Sequence, residues 1–172
     1  LDHELVSITT TTSKGEIWVE IDSISSTTAN TFYVYYGNAG ASGVSTSSGA
    51  WNRNSIAASH PGYSFVTHLS TTTDAVSSTI GVNNGATAST TCAFTGDCFD
   101  FQGGSDFIDY GNVMGKSGSE AFSFEYWFSA RSIPAASTLI LSKQFNTSAV
   151  GWQFGISDDP SDSVGYTHYS DN

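Results

Sequence analysis

The chain has 172 residues and a formal net charge of -11, from 16 acidic and 5 basic residues. Its Lys and Arg residues are scattered singly, which excludes the clustered cations that nucleic acid or an anionic membrane surface requires. No apolar run approaches the roughly 18 residues of a membrane span, so we expect no membrane insertion.

Ser and Thr make up more than a quarter of the chain, whereas charged residues make up only 12%. This composition is typical of secreted adhesins and of virion or filament subunits. The aromatic content of 13% supplies a core, which argues against disorder. We therefore expect an extracellular, cell-surface or virion-surface location. Because no signal peptide follows Leu1, we expect a mature or partial product.

In the first half of the chain, period-2 alternation and β-branched or aromatic runs predict strands. The clearest alternation is in Gly15–Asp22, where Ile17, Val19 and Ile21 share one face. The run Thr31–Tyr36 is apolar on both faces and predicts a strand that is covered on both sides. The other predicted strands here are His3–Thr9 and Tyr63–Leu69.

In the second half, Ala121–Arg131 alternates most clearly, with Phe122, Phe124, Tyr126 and Phe128 on one face. Trp127 lies on the opposite face. Turn clusters such as Asn83-Asn84-Gly85 separate the strands, and the spacing predicts an all-β sandwich or jelly roll. The other predicted strands here are Cys98–Phe101, Phe107–Tyr110, Thr138–Phe145, Trp152–Ser157 and Val164–Tyr169.

The longest strand-poor stretch, Gly37–Pro61, is the best predicted domain boundary. We expect a β-rich segment over residues 1–50, a linker over 51–61 and a sandwich over 62–172. Ser70–Thr91 is predicted to be a long loop in the second domain.

The two cysteines, Cys92 and Cys98, flank a turn at Gly96-Asp97. A disulfide across this small loop is geometrically allowed and would agree with an oxidising compartment. Two buried free thiols are the alternative.

The first forty residues resemble the end of a bacterial and archaeal domain of unknown function. The resemblance lies in a Trp-Val strand, Trp18-Val19, and in the signature Tyr35-Tyr36-Gly37-Asn38. The N-terminal portion of that family is expected to be missing from this chain.

Residues 62–157 resemble a laminin-G-like, concanavalin-A-like lectin domain, through motifs that occur in the same order along the chain. These motifs are YSFVTHLS, CFDFQGGSDFIDYG, FSFEYWFSAR and GWQFGIS. The resemblance implies a jelly-roll sandwich. Such a domain needs about 150 residues, so we expect either a missing C-terminal part or strands supplied by a neighbouring chain. This fold hosts lectins, enzymes and spacers, so it does not decide the activity.

A catalytic centre is not expected. Glu20 and Asp22 share one strand face at about 6.6 Å, which a glycosidase pair allows. A solvated outer face explains them better. No nucleophile triad can be assembled, and His68 is predicted to be a packed, hydrogen-bonded core residue.

Calcium is the expected metal, if any is bound. Asp158, Asp159 and Asp162 place three carboxylates on one short loop, where a cation would relieve their repulsion. An ordinary acidic turn is the alternative.

Exposed aromatic rings can stack on the apolar faces of sugars. Trp51, Trp152, Tyr166 and Tyr169 are the candidate ligand-binding residues, although most aromatics in a sandwich belong to the core. Trp18 and Trp127 face away from the apolar side of their strands and are expected at a second layer or an interface.

Three functional hypotheses follow. The first is a lectin-like binding or adhesion module that recognises glycan or a cell-surface partner. The second is a structural subunit of a virion, filament or surface layer, for which homo-oligomeric assembly is expected because incomplete sheets leave open edges. The third, a remote alternative, is a glycoside hydrolase.

Overall fold

The computed structural model describes residues 1–11, 14–21, 23–51, 62–92, 97–115, 121–132, 138–145, 150–156 and 164–169. These residues form mostly β-structure, in small antiparallel sheets, with one five-residue helix. The chain divides into two compact units, Leu1–Gly111 and Asn112–Asn172.

Unit 1 begins with a hairpin. Strand β1 (His3–Thr9) pairs antiparallel with β2 (Lys14–Val19), and the register shifts between Leu5 and Ser7. The short helix α1 (Ser47–Trp51) lies against β1. The amide of Thr46 donates to the carbonyl of His3 over 2.8 Å, which fixes the start of the helix beside the strand.

Among the described residues, the rest of unit 1 contains four three-residue strands arranged as a nested hairpin. Strands β3 (Val82–Asn84) and β6 (Phe107–Asp109) pair with each other, as do β4 (Thr87–Ser89) and β5 (Cys98–Asp100). The chain bends between β3 and β4 at Gly85, which has a φ of 88°. The side chain of Asn83 bridges this bend, because it accepts from the amide of Ala86 and donates to the Ala86 carbonyl.

Unit 2 contains a three-stranded meander with β8 (Val150–Ile156) between β7 (Thr138–Phe145) and β9 (Val164–Tyr169). Phe124 stacks on Trp152 of β8 at 5.8 Å between ring centroids and meets Phe154 edge-on at 5.2 Å. Tyr126 meets Phe154 edge-on at 4.9 Å. Aromatic packing on β8 is therefore the core of this unit.

Three predicted strands are wrong. Thr31–Tyr36, Tyr63–Leu69 and Ala121–Arg131 have strand composition, but they do not join a ladder in the described residues. Conversely, β3 and β4 lie inside Ser70–Thr91, which was predicted to be a loop. The reason is that a strand is defined by its pairing, which composition alone does not specify.

The alternation of Ala121–Arg131 is nevertheless confirmed for most of its length. Phe122, Phe124 and Tyr126 are partly buried, and Trp127 is exposed on the other face. The unit boundary at residues 111 and 112 does not coincide with the predicted linker over 51–61, of which residues 52–61 lie outside the described residues.

Candidate functional site

The hairpin of β1 and β2 carries a polar and aromatic cluster on one face. Glu4 of β1 lies opposite Trp18 of β2 in the register, so their side chains point to the same side. Glu16 precedes Trp18 by two residues and shares its face, because side chains alternate along a strand. This alternation brings two carboxylates and an indole together.

His68 joins the two carboxylates from a distant part of the chain. Its Nε2 atom lies 2.8 Å from Glu4 Oε2, and its Nδ1 atom lies 3.9 Å from Glu16 Oε1. The indole N–H of Trp18 donates to Glu16 Oε1 over 2.7 Å, and that of Trp51 donates to Glu4 Oε2. Each carboxylate is therefore held by one tryptophan and lies beside one nitrogen of the same imidazole.

Four rings pack around this network. The Trp18 and Trp51 centroids are 5.0 Å apart, and Trp18 stacks on His68 at 6.0 Å with 28° between the ring planes. Tyr63 meets Trp51 edge-on at 5.2 Å. Trp51 is only 9% exposed, whereas Trp18 is 44% exposed. The cluster thus has a buried ring that supports it and an open ring at its surface.

A cavity of about 180 Å³ adjoins this cluster. Glu4, His68 and the buried Asp74 form part of its wall. Hydroxyl side chains supply much of the remaining lining, namely Ser47, Ser70, Thr71, Thr73 and Ser78. The cavity therefore offers hydrogen-bond donors and acceptors on several sides.

Asp74 fixes the shape of the cavity wall. It is 1% exposed, and its carboxylate accepts from the amides of Val66, Val76 and Ser77 at 2.8, 3.1 and 2.9 Å. The Ser77 hydroxyl donates to it as well. Burial acts to raise the pKa of Asp74, but the bonds from the Ser77 hydroxyl and the three amides outweigh it and lower that pKa below 3.8. An ionised Asp74 is thus a structural anchor.

The predicted ligand-binding aromatics are spread over both units. Trp51 supports the cluster described above, and Trp152 is 3% exposed within the core of unit 2, with its indole N–H lacking a partner in the described residues. Neither presents an open ring face. The side chains of Tyr166 and Tyr169 lie outside the described residues.

The other predicted site residues have varied positions. Cys92 and Cys98 form a disulfide beside β4 and β5. The acidic loop with Asp158, Asp159 and Asp162 lies outside the described residues, as does Asp22. Glu20 was considered together with Asp22 as a glycosidase pair. It has a buried carboxylate oxygen that accepts no hydrogen bond in the part of the chain that the structure describes.

Glu4, Glu16 and His68 are not recognisable as a group from the sequence. Glu4 and His68 are 64 residues apart, and no motif connects them. The available signal was the pairing of His3–Thr9 with Gly15–Asp22, which places Glu4, Glu16 and Trp18 together once a register is assumed. His68 itself was predicted to be packed and hydrogen-bonded, which is confirmed by its bond to Glu4.

Among the described residues, no group of three or more His, Cys, Asp and Glu side chains has the arrangement of a metal site. Within the same residues, none of the helices has the length and apolar character needed to cross a membrane.

Comparison with known proteins gives one match. No curated protein and no solved structure matches the chain. One family model, described as a domain of unknown function (DUF2341), matches residues 1–106, which includes every residue of the cluster and the cavity wall. The chain belongs to the DUF2341 family.

Proposed function

We propose that the chain is a lectin-like binding and adhesion module of a cell or virion surface, and that it recognises glycan at the cavity beside Glu4 and His68. The observation that carries this proposal is the combination of a hydroxyl- and carboxylate-lined cavity with the half-exposed Trp18 ring stacked on His68.

Sugar recognition requires two kinds of contact, and the cluster offers both. A sugar ring presents hydroxyl groups at its edge, which pair with carboxylate oxygens, imidazole nitrogens and Ser or Thr hydroxyls. Its apolar C–H face packs against an aromatic ring. Glu4 Oε2 binds both Trp51 and His68, so its Oε1 atom is the acceptor that we assign to a sugar hydroxyl.

The charge of the site favours neutral glycans. Glu4, Glu16 and Asp74 put three carboxylates in or beside the cavity, and the chain carries a net charge of -11. Sialylated or sulfated sugars would be repelled by this field. We therefore expect binding of uncharged hexose-containing glycans.

The proposal is binding and not catalysis. Each glutamate of the cluster is held by a tryptophan N–H and lies beside the same histidine.

The proposal also includes the concanavalin-A-like jelly roll in the C-terminal part, an extracellular location and a calcium site at Asp158, Asp159 and Asp162. Its support is the order of lectin-like motifs in residues 62–157 and the clustering of three aspartates in the sequence at residues 158–162.

A glycan array followed by calorimetry tests the proposal, in calcium and in chelator. We expect Trp18→Ala and Glu4→Gln to weaken binding at least about tenfold, or about 1.4 kcal/mol. Trp127→Ala and Glu125→Gln are matched controls, because Trp127 and Glu125 are exposed residues of unit 2. Circular dichroism of each variant separates a lost contact from a lost fold.

Two results would count against this assignment. One is the absence of binding to any neutral glycan under both conditions. The other is an equal loss in folded Trp18→Ala and Trp127→Ala, which would place the contact away from the cluster.

A second candidate, a structural subunit of a surface assembly, is favoured by a different observation. Residues 31–36 expose five large apolar or aromatic side chains in succession.

A further inference from the structure

Residues 31–36 form an exposed segment with the composition of a buried strand. Their sequence is Thr-Phe-Tyr-Val-Tyr-Tyr, in which β-branched and aromatic residues follow each other without a break. Tyr35 and Tyr36 are 92% and 93% exposed, and Phe32, Tyr33 and Val34 are also exposed. Within the described residues, no hydrogen bond, backbone or side-chain, involves this segment.

Such a segment is unusual on the surface of a single chain. Contiguous exposed apolar side chains mark interaction sites, and unpaired backbone groups of a strand-forming segment are a template for another strand. The segment carries neither a lysine nor a proline, which are the usual protections of an exposed strand edge.

Charge indicates what the partner is. Residues 23–52 contain no Asp, Glu, Lys or Arg, and this is the longest uncharged run in a chain of net charge -11. Two copies that meet through this run place no charged side chain of the run against the partner, which limits the repulsion between their net charges at the contact. The strand-forming segment therefore lies where a second copy can approach at a low electrostatic cost.

We propose that residues 32–36 pair antiparallel with the same residues of a second copy of this chain, about a two-fold axis at Val34. Self-pairing through one segment is an isologous contact, which closes as a dimer. In this register Val34 faces Val34 of the partner subunit, Phe32 faces Tyr36 of the partner subunit, and the reverse pair follows by symmetry.

The proposed register keeps the two faces of the segment separate. With the axis at Val34, the side chains of Phe32, Val34 and Tyr36 from both copies share one face, and Tyr33 and Tyr35 share the other. A shift by one residue would mix these sets. The chosen register pairs aromatic rings with each other across the strands, and such cross-strand pairs stabilise a sheet.

Sedimentation equilibrium over a concentration series tests the proposal on the full chain. We expect dimerisation, and we expect Val34→Asp to weaken it at least about tenfold because two carboxylates would then face each other. Val44→Asp is the matched control, since Val44 is exposed within the same uncharged run but outside the paired segment. Added salt should tighten the dimer of the unmodified chain by screening its net charge.

Cysteine cross-linking tests the register. Val34→Cys should give a disulfide-linked dimer under mild oxidation, because facing Cα atoms lie about 4.5 to 5.5 Å apart. Tyr35→Cys should cross-link far less, since its two copies would be about 8 Å apart, beyond the reach of a disulfide.

The pairing and the register can each be overturned by a separate result. A monomer at all concentrations, or an equal effect of Val34→Asp and Val44→Asp, would overturn the pairing. Equal cross-linking of Val34→Cys and Tyr35→Cys would overturn the register.

Discussion

At the scale of single residues, Asp74 is a buried residue of the cavity wall. One buried carboxylate accepts three backbone amides and a hydroxyl, so it holds residues 74–77 against Val66. The charge of Asp74 also acts on Tyr110. Burial is the main cause that raises the pKa of Tyr110 above 10; its hydrogen bond with Thr67 lowers the pKa, and the negative charge of Asp74 raises it further. The structure of the cavity wall therefore depends on the ionisation of Asp74.

Asp74→Asn should lower the free energy of unfolding of unit 1 by about 2 kcal/mol at neutral pH, because hydrogen bonds to a charged group are lost or weakened. The pKa of Asp74 is lowered in the folded state, so its stabilisation is present above pH 3.8 and is lost as the pH falls through the lower, folded value. The difference between variant and unmodified chain should therefore shrink in acid.

Hydrogen exchange of unit 1 amides, measured from neutral pH downwards, follows this loss. Asp109→Asn is the control, because Asp109 is exposed and accepts a single local bond from the Gly111 amide. A pH dependence that is unchanged in Asp74→Asn would show that other carboxylates are responsible.

At the scale of elements, the disulfide compensates for very short strands. Strands β4 and β5 have three residues each, and Ser89 pairs with Cys98 at the end nearest the Cys92–Cys98 bond. A ladder of this length is marginal in water. The covalent link keeps its two strands in register.

Replacement of both cysteines by alanine should reduce the stability of this hairpin by about 2 kcal/mol, the loop-closure value for a ring of this size. Amide exchange in β4 and β5 should accelerate more than in β1 and β2, which serve as the internal control. The unmodified chain treated with reductant should behave like the double variant. Equal protection in oxidised and reduced protein would mean that packing alone maintains the ladder.

Most strands could be located from the sequence. Strand pairing and side-chain contacts between residues far apart in the chain could not. The bounds of β1, β7 and β9 are confirmed as predicted, because composition and turns there agree with local pairing. Thr31–Tyr36 has the composition of a strand, yet no neighbour pairs with it in the described residues. Glu4 and Trp18 follow from a hairpin register, whereas His68 joins them only through the tertiary fold.

At the scale of the whole molecule, the candidate site belongs to one unit. Each residue of the cluster and of the cavity wall lies within Leu1–Gly111. The family match, over residues 1–106, covers the same part of the chain. The candidate site therefore lies within the part of the chain that the DUF2341 family model matches.

A fragment of residues 1–111 should bind the same glycans as the full chain, with a dissociation constant within about threefold, or roughly 0.7 kcal/mol. Calorimetry of both proteins measures this, and the Trp18→Ala form of the fragment is the control. A fragment that retains its circular dichroism spectrum but does not bind would show that residues beyond 111 contribute to the site.

The long sequence separation within the cluster also determines when the cavity can form during synthesis. The bonds from Glu4 to Trp51 and to His68 span 47 and 64 residues. At a synthesis rate of about 5 to 20 residues per second, His68 is made roughly 3 to 13 s after Glu4. Until His68 is made, Trp18 lacks the imidazole on which it stacks, so the growing chain presents an incompletely covered aromatic hairpin to the chaperones that meet it.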